Sequence, residues 1–145
     1  MMWVRSAGHY SAAEGLAERG SPDPFNDTMS GSIHLLIGFS FELALKAAYM
    51  IFGGDSEMLR KFNHDLTKTL KAARKRGFAF GHKRLEMLID ALRDTHADHY
   101  FRYGTATNVT LPTLEESLPM LRELVNEVGR EGVTRGVITN MPITQ

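Results

Sequence analysis

The stretch that decides the fold is residues 33–52, IHLLIGFSFELALKAAYMIF, in which apolar side chains occur nearly all round a helical projection. Its length alone would suit a membrane span. Glu42 and Lys46 lie near its middle, however, and a charged side chain there costs about 2.5–3.5 kcal/mol on insertion scales. Their four-residue spacing instead matches a Glu-to-Lys pair on one helix face. The stretch therefore predicts the central buried helix of a bundle, and no membrane span is expected.

Amphipathic helices are predicted on both sides of this central helix, because apolar residues recur there at spacings of three and four. One helix precedes it, over residues 3–17, and the proline-containing segment 20–27 separates the two. Three helices follow, over residues 56–77, over 85–96 and from Thr113 onward. The predicted fold class is therefore all-α, an antiparallel bundle of about five helices.

Several helix boundaries can be predicted from single residues. Gly77 is expected to stop the third helix, and Thr113 with Glu116 is spaced as a capping box that opens the fifth. Pro119 either kinks that helix or marks a fresh start. From Gly129 onward the helical period is lost. The chain is thus expected to hold one domain over residues 1–131 and an irregular tail over residues 132–145.

The overall composition excludes several classes of protein. The 145 residues contain 17 Lys+Arg, 17 Asp+Glu and no Cys, so a uniformly basic nucleic-acid coat, disulfides, thiolate zinc sites and a thiol nucleophile are all excluded. No phosphate-binding glycine loop and no GxSxG nucleophile elbow occurs. The first residues, MMWVRSAGHY, lack the apolar region of a signal peptide, and we expect a cytoplasmic protein.

Although the net charge of the chain is zero, its middle part is basic. Residues 55–104 carry 11 basic and 7 acidic groups, whereas each flanking part carries 3 and 5. Residues 66–85 contain no acidic residue and the following basic ones: Lys68, Lys71, Arg74, Lys75, Arg76, Lys83 and Arg84. Such a run is either a solvated helix face or a surface for phosphate groups. For the second alternative, the expected binding residues are Lys68, Lys71, Arg74, Lys75 and Arg102.

Short motifs in the chain resemble the HEPN superfamily of small helical bundles. They are SFELALKAA at residues 40–48, His64-Asp65-Leu66 further on, and FRYG at residues 101–104. The resemblance covers residues 3–128. It implies a homodimer without metal or cofactor that acts in a prokaryotic stress, defence or toxin–antitoxin system. RNA, a nucleotide or a cognate protein would be its partner.

The resemblance also implies a candidate catalytic pair. Many HEPN proteins resemble metal-independent ribonucleases whose motif is an Arg and a His separated by four to six residues. Arg93 and His99 fit this spacing, with Asp94 in the polar position after the Arg. In such a site the Arg stabilises phosphorane charge and the His moves a proton of the 2′-hydroxyl or leaving group.

The Arg–His spacing is weak evidence for catalysis, because chance alone supplies about 1.4 such pairs in a chain of this composition. A second pair, Arg76 and His82, also fits. Members with the FRYG-type loop often lack the nuclease motif. The alternative to an endoribonuclease is therefore a non-catalytic dimeric module that binds a nucleotide, a nucleic acid or a partner protein.

Glu42, Lys46 and His64 leave two alternatives open. In the structural one, Glu42 and Lys46 form a buried pair and His64 bonds to a helix or loop carbonyl. In the functional one, Glu42 supports the site by orienting the Arg or His of the cleft. A further alternative is a small-molecule pocket among aromatic side chains, namely Trp3, Phe39, Phe41, Tyr49 and Phe62.

Overall fold

The computed structural model describes residues 2–19, 27–97 and 112–139, and in these ranges it contains six helices and no strand. The helices are α1 (Met2–Arg19), α2 (Asp27–Ile51), α3 (Ser56–Lys61), α4 (Leu66–Lys75), α5 (Lys83–Ala97) and α6 (Leu114–Thr134). The predicted all-α bundle is therefore confirmed.

Helix α2 is the centre of the bundle and packs against α1, α4, α5 and α6. Ile37, Phe41 and Leu45 are completely buried along it. Within the described ranges, Gly31–Ile51 is the one segment long and apolar enough to cross a membrane, and 67% of its most apolar window is buried inside the bundle. Burial by neighbouring helices accounts for its apolar character, as expected from the sequence.

Buried polar contacts fix α1 against its neighbours. The Ser6 hydroxyl donates to the carbonyl oxygen of Ser40, and the Ser40 hydroxyl donates to that of Ser6, both at 2.8 Å. The indole Nε1 of Trp3 donates to the carbonyl oxygen of Val125 at 2.8 Å. Because the partners of these buried groups are supplied by α2 and α6, the contacts set the position of α1 as well as satisfying its polar atoms.

The prediction of one helix over residues 56–77 is wrong, because the segment is split into α3 and α4. Asn63 adopts a left-handed conformation with φ 51°, and Asp65 caps α4 by accepting the amide of Lys68 at 2.9 Å. Asn and Asp favour such breaks because their short side chains compete for backbone partners. The apolar spacing of three and four continues across the break and conceals it. Gly77, with φ 104°, follows the end of α4 as predicted.

Helix α6 begins as predicted, since the Thr113 hydroxyl accepts the amide of Glu116 at 3.3 Å. It is continuous through Pro119, so a fresh start at that residue is wrong. The predicted loss of helical period at Gly129 is also wrong, because α6 runs to Thr134.

The C-terminal boundary of the domain lies beyond residue 131. Gly129 and Gly132 are buried in α6. Ile138 occupies the space that the missing side chain of Gly132 leaves, and it belongs to the core. Residues 132–138 are thus partly helical and partly packed on the bundle, and residues 140–145 of the expected tail lie outside the described residues.

Candidate anion-binding groove

A groove with a volume of about 680 Å³ opens between α3 and α4, beside the C-terminal end of α2. We call it the α3–α4 groove. The basic residues that line it are Lys61, Lys68, Lys71, Lys75 and Arg76. Asp55 is the acidic residue among its lining. Five positive charges against one negative charge make the groove cationic in a protein whose net charge is zero.

The amphipathic character of α4 brings its lysines to the groove. Lys68, Lys71 and Lys75 follow one another at spacings of three and four residues, which places them on one helix face. The opposite face is buried through Leu66, Thr69, Leu70 and Ala73. At a rise of 1.5 Å per residue, the three lysines span about 10 Å along the helix. Because one face of α4 is buried, its three lysines are held on the opposite face, toward the groove.

The cations of the groove differ in their acidic neighbours. Lys61 pairs with Glu57 at 3.2 Å on α3, and Lys68 lies 3.7 Å from the carboxylate of Asp65. Lys71 and Lys75 form no ion pair with any described residue. The uncompensated positive charge of the groove is therefore concentrated toward the C-terminal half of α4.

Arg76 is held at the end of α4 by three groups. Its guanidinium lies over the ring of Tyr49, 5.1 Å from the centroid. Nη1 donates to the carbonyl oxygen of Gly53 at 2.6 Å, and Nη2 lies 3.9 Å from Oδ2 of Asp55. The turn at residues 53–55, which follows α2, thus fixes the orientation of the Arg76 guanidinium at the end of α4.

Asp55 performs two local functions beside Arg76. Its carboxylate caps α3 by accepting the Met58 amide at 2.8 Å, and it accepts the Tyr49 hydroxyl at 3.1 Å. The hydrogen bond from the Met58 amide lowers the pKa of Asp55 below its ordinary value, although partial desolvation opposes the shift. Asp55 is therefore ionised at neutral pH and is a fixed negative charge at this end of the groove.

The aromatic floor of the groove is closed to ligands. Tyr49 and Phe62 pack edge to face with centroids 5.0 Å apart, and their exposed fractions are 3% and 7%. Gly54 lies so close to this floor that a Cβ there would stand 2.2 Å from Cε1 of Tyr49. Both rings belong to the hydrophobic core, as do Trp3 and Phe41. The burial of Trp3, Phe41, Tyr49 and Phe62 does not favour the alternative of a small-molecule pocket lined by aromatic side chains.

Three of the predicted binding residues, Lys68, Lys71 and Lys75, line the groove. Arg74 does not: it forms an ion pair with Glu86 and lies 3.4 Å from the carbonyl oxygen of Phe80, and so links α4 to α5. Arg102 lies outside the described residues.

The candidate catalytic pair is only partly described. Arg93 is an exposed residue of α5. Asp94 follows it in the helix, but its side chain lies outside the described part of the chain, as does His99.

Glu42, Lys46 and His64 form a cluster below the start of α4. One oxygen of the Glu42 carboxylate accepts from Nζ of Lys46 at 2.6 Å, and the other lies 3.0 Å from Nδ1 of His64. The Glu42 side chain is 7% exposed. The pairing of Glu42 with Lys46 agrees with the structural alternative, but the contact of His64 is to the Glu42 carboxylate. This contact joins α2 to the turn between α3 and α4.

Several lining residues were missing from the sequence-based site. Arg76 belongs to the basic run but is not among the expected binding residues, and Lys61 and Asp55 precede the run in the chain. The amphipathic period of α4 identifies the three lysines alone. The Gly53-Gly54-Asp55 turn, which directly follows α2, could have indicated Asp55 alone.

Among residues 2–19, 27–97 and 112–139, no group of three or more His, Asp or Glu side chains could hold a metal ion. Comparison of the chain with family models, curated proteins and solved structures gave no match. The resemblance to the HEPN superfamily accordingly rests on the short sequence motifs alone.

Proposed function

We propose that this chain is an RNA-binding helical module of the HEPN type and that its α3–α4 groove holds a single-stranded phosphate backbone. The observation that carries this proposal is the convergence of five cations and one carboxylate on a single groove of a neutral protein. Such a concentration of positive charge attracts a polyanion and releases its condensed counterions.

The groove favours contacts with phosphates over contacts with bases. Proteins that bind single strands through their bases stack them on exposed aromatic side chains. Tyr49 and Phe62 are too deeply buried for stacking. The lysines extend only about 10 Å along α4, whereas duplex-binding domains contact about 16 base pairs. A short stretch of one strand, bound with little preference for sequence, matches this surface.

The binding experiment uses a fluorescein-labelled oligouridylate and the full chain, with anisotropy as the readout. The Lys71→Glu, Lys75→Glu variant should bind at least about tenfold more weakly, a loss of about 1.4 kcal/mol. The matched control is Lys83→Glu, Arg84→Glu, which changes the net charge equally at two exposed residues outside the groove.

The two variants separate the outcomes. The control should bind as the unmodified chain does. Equal weakening in both variants would show that overall charge, and not the groove, governs binding. Failure of the unmodified chain to bind RNA at low salt would overturn the proposal, and preferential binding of an acidic peptide would replace RNA with a protein partner.

A second candidate is a metal-independent endoribonuclease of a stress, defence or toxin–antitoxin system. The observation in its favour is that Arg93, the Arg of the motif, is an exposed residue of α5. In this version the groove holds the RNA, Arg93 stabilises the charge of the transition state and His99 transfers the proton.

The HEPN resemblance also leads us to propose a cytoplasmic homodimer, with a cognate protein as a further partner. Light scattering of the purified chain gives the mass directly. A mass of about twice 16.2 kDa is expected, and a monomer at all accessible concentrations would contradict the dimer.

A further inference from the structure

Arg76 is unlike the lysines of the α3–α4 groove because its charged group is already fixed. The Tyr49 ring, the Gly53 carbonyl oxygen and the Asp55 carboxylate each contact the guanidinium. A free Arg side chain loses rotamer entropy when it is immobilised. Since folding has already restricted Arg76, a ligand bound there avoids most of that cost.

The guanidinium retains capacity for a ligand. Arg carries five N–H donors, and the bond from Nη1 to Gly53 uses one of them. The side chain is 37% exposed and lines the groove. A planar fork with remaining donors matches two oxygens of one phosphate group, whereas a lysine acts as a point charge.

The groove is bounded at Arg76 by negative charge. Asp55 lies 3.9 Å from Nη2, and the Gly53 carbonyl oxygen faces the same guanidinium. A phosphodiester backbone that continued past Arg76 would approach these oxygens and be repelled. A strand that ends at Arg76 avoids this repulsion. Its terminal phosphate also carries more charge and more free oxygens than an internal phosphodiester, and both can be used by Arg76 and the adjacent Lys75.

We infer that the Arg76 end of the groove is a subsite for the terminal phosphomonoester of a bound RNA strand. The inference rests on the proposed function and specifies which part of the RNA the groove recognises. Arg76 supplies the bidentate contact, Lys75 supplies a second charge, and Asp55 limits the affinity by competing for the guanidinium.

The test compares otherwise identical oligouridylates that end in a 5′-phosphate, a 3′-phosphate or hydroxyl groups at both ends. The strand with the matching terminal phosphate should bind about tenfold more tightly than the hydroxyl-ended strand, the effect of one charge-assisted contact. Uridine monophosphate and inorganic phosphate are added as competitors, because the same phosphomonoester chemistry is available from small molecules.

Two substitutions assign the preference to the subsite. Arg76→Lys keeps the charge but removes the planar fork, so the preference should fall to about twofold or less while binding of the hydroxyl-ended strand persists. That persistence also shows that the variant is folded. The matched control is Arg135→Lys, because Arg135 similarly lies over an aromatic ring, Phe52, and near a carboxylate, Glu131, but does not line the groove.

Asp55→Asn should strengthen the binding of a terminal phosphate, whereas Arg76→Lys should weaken it. Asn is as good an N-cap as Asp, so α3 should be retained while the competing charge is removed. The end-phosphorylated strand should then bind about twofold or more tightly. Glu131→Gln is the control, since it removes the same charge from a carboxylate that lies near an arginine, Arg135, and neither residue lines the groove.

The outcomes distinguish this inference from the proposed function. If all three strands bind equally and Arg76→Lys changes nothing, the subsite is disproved while RNA binding stands. If small phosphomonoesters bind at Arg76 but no strand does, the subsite stands and the RNA function is disproved. If neither strands nor small phosphates bind, both fail.

Discussion

Nδ1 of His64 lies 3.0 Å from Oε2 of Glu42, and this contact joins the middle of α2 to the turn that precedes α4. The other oxygen of the same carboxylate accepts from Lys46 on α2. A single buried acid thus connects the central helix to the segment that positions the first lysine of the groove. Its charge is compensated where a free carboxylate would be costly to bury.

Loss of the Glu42 carboxylate should destabilise the bundle. Glu42→Ala leaves the largely buried Lys46 ammonium without this partner, and we expect the free energy of unfolding to fall by about 1–3 kcal/mol. Glu42→Gln retains an acceptor and should cost less. Urea denaturation measures both, with Glu57→Ala as the control, because its ion pair with Lys61 is exposed and is worth at most about 1 kcal/mol. Equal, small losses would contradict a stabilising cluster.

Binding of RNA should weaken steeply with salt. Of the five cations that line the groove, Lys61, Lys68 and Arg76 lie beside carboxylates, and Lys71 and Lys75 have no ion pair with a described residue. If between two and four of these cations each neutralise one phosphate of a single strand, the logarithm of the association constant should fall with the logarithm of salt concentration at a slope between about −1.4 and −3. Anisotropy titrations across a range of salt concentrations give this slope. A slope close to zero would mean that the contacts are not made with phosphates.

The break between α3 and α4 should depend on the cap at Asp65. Asp65→Ala removes the acceptor of the Lys68 amide and should cost about 1 kcal/mol of unfolding free energy, whereas Asp65→Asn should be nearly neutral. The midpoint of urea unfolding reports the difference. Indistinguishable midpoints for the two substitutions would show that the cap contributes nothing to stability.

Gly132 and Ile138 should be energetically coupled. A Cβ at Gly132 would stand 2.3 Å from Cδ1 of Ile138, so Gly132→Ala forces the Ile138 side chain to move and should cost about 1–3 kcal/mol. Ile138→Ala alone should cost about 2 kcal/mol or more. Because the second substitution removes the atoms with which the first collides, the double variant should lose less stability than the sum. Strict additivity would contradict the close contact.

The ribonuclease candidate predicts cleavage of RNA in the presence of EDTA. Arg93→Ala and His99→Ala should each slow this cleavage at least about 100-fold, since acid–base and charge-stabilising groups contribute effects of that size. Binding of the uncleaved strand, measured by anisotropy, should persist in both variants. If the unmodified chain binds RNA without cleaving it, the non-catalytic module remains.

The helices could be predicted from the sequence because their apolar spacing reports directly on burial. The apolar circumference of α2 and the buried positions of α5, Leu85, Leu88, Ile89 and Leu92, are examples. The split between α3 and α4 could not be predicted from that spacing, because Phe62 and Leu66 are both buried and keep it unchanged across the break. Only the backbone conformation of Asn63 and the cap at Asp65 reveal it.

The groove was partly predictable for a similar reason. Lys68, Lys71 and Lys75 share one helix, so their spacing is sufficient to place them together. Arg76 and Gly53 are brought together by the packing of α2 against α4, and no local pattern encodes that contact. The same applies to Glu42 and His64, which are separated by 22 residues.

The close approach of Gly54 to Tyr49 has a consequence for recognising relatives of this chain. The Tyr49 ring is enclosed by the core and supports Arg76, so it has little freedom to make room for a Cβ at position 54. Any substitution there should be tolerated only together with a smaller side chain at position 49. The paired occurrence of Tyr and Gly five residues apart, after a long apolar helix, is therefore a more discriminating signature than the basic residues of the surface.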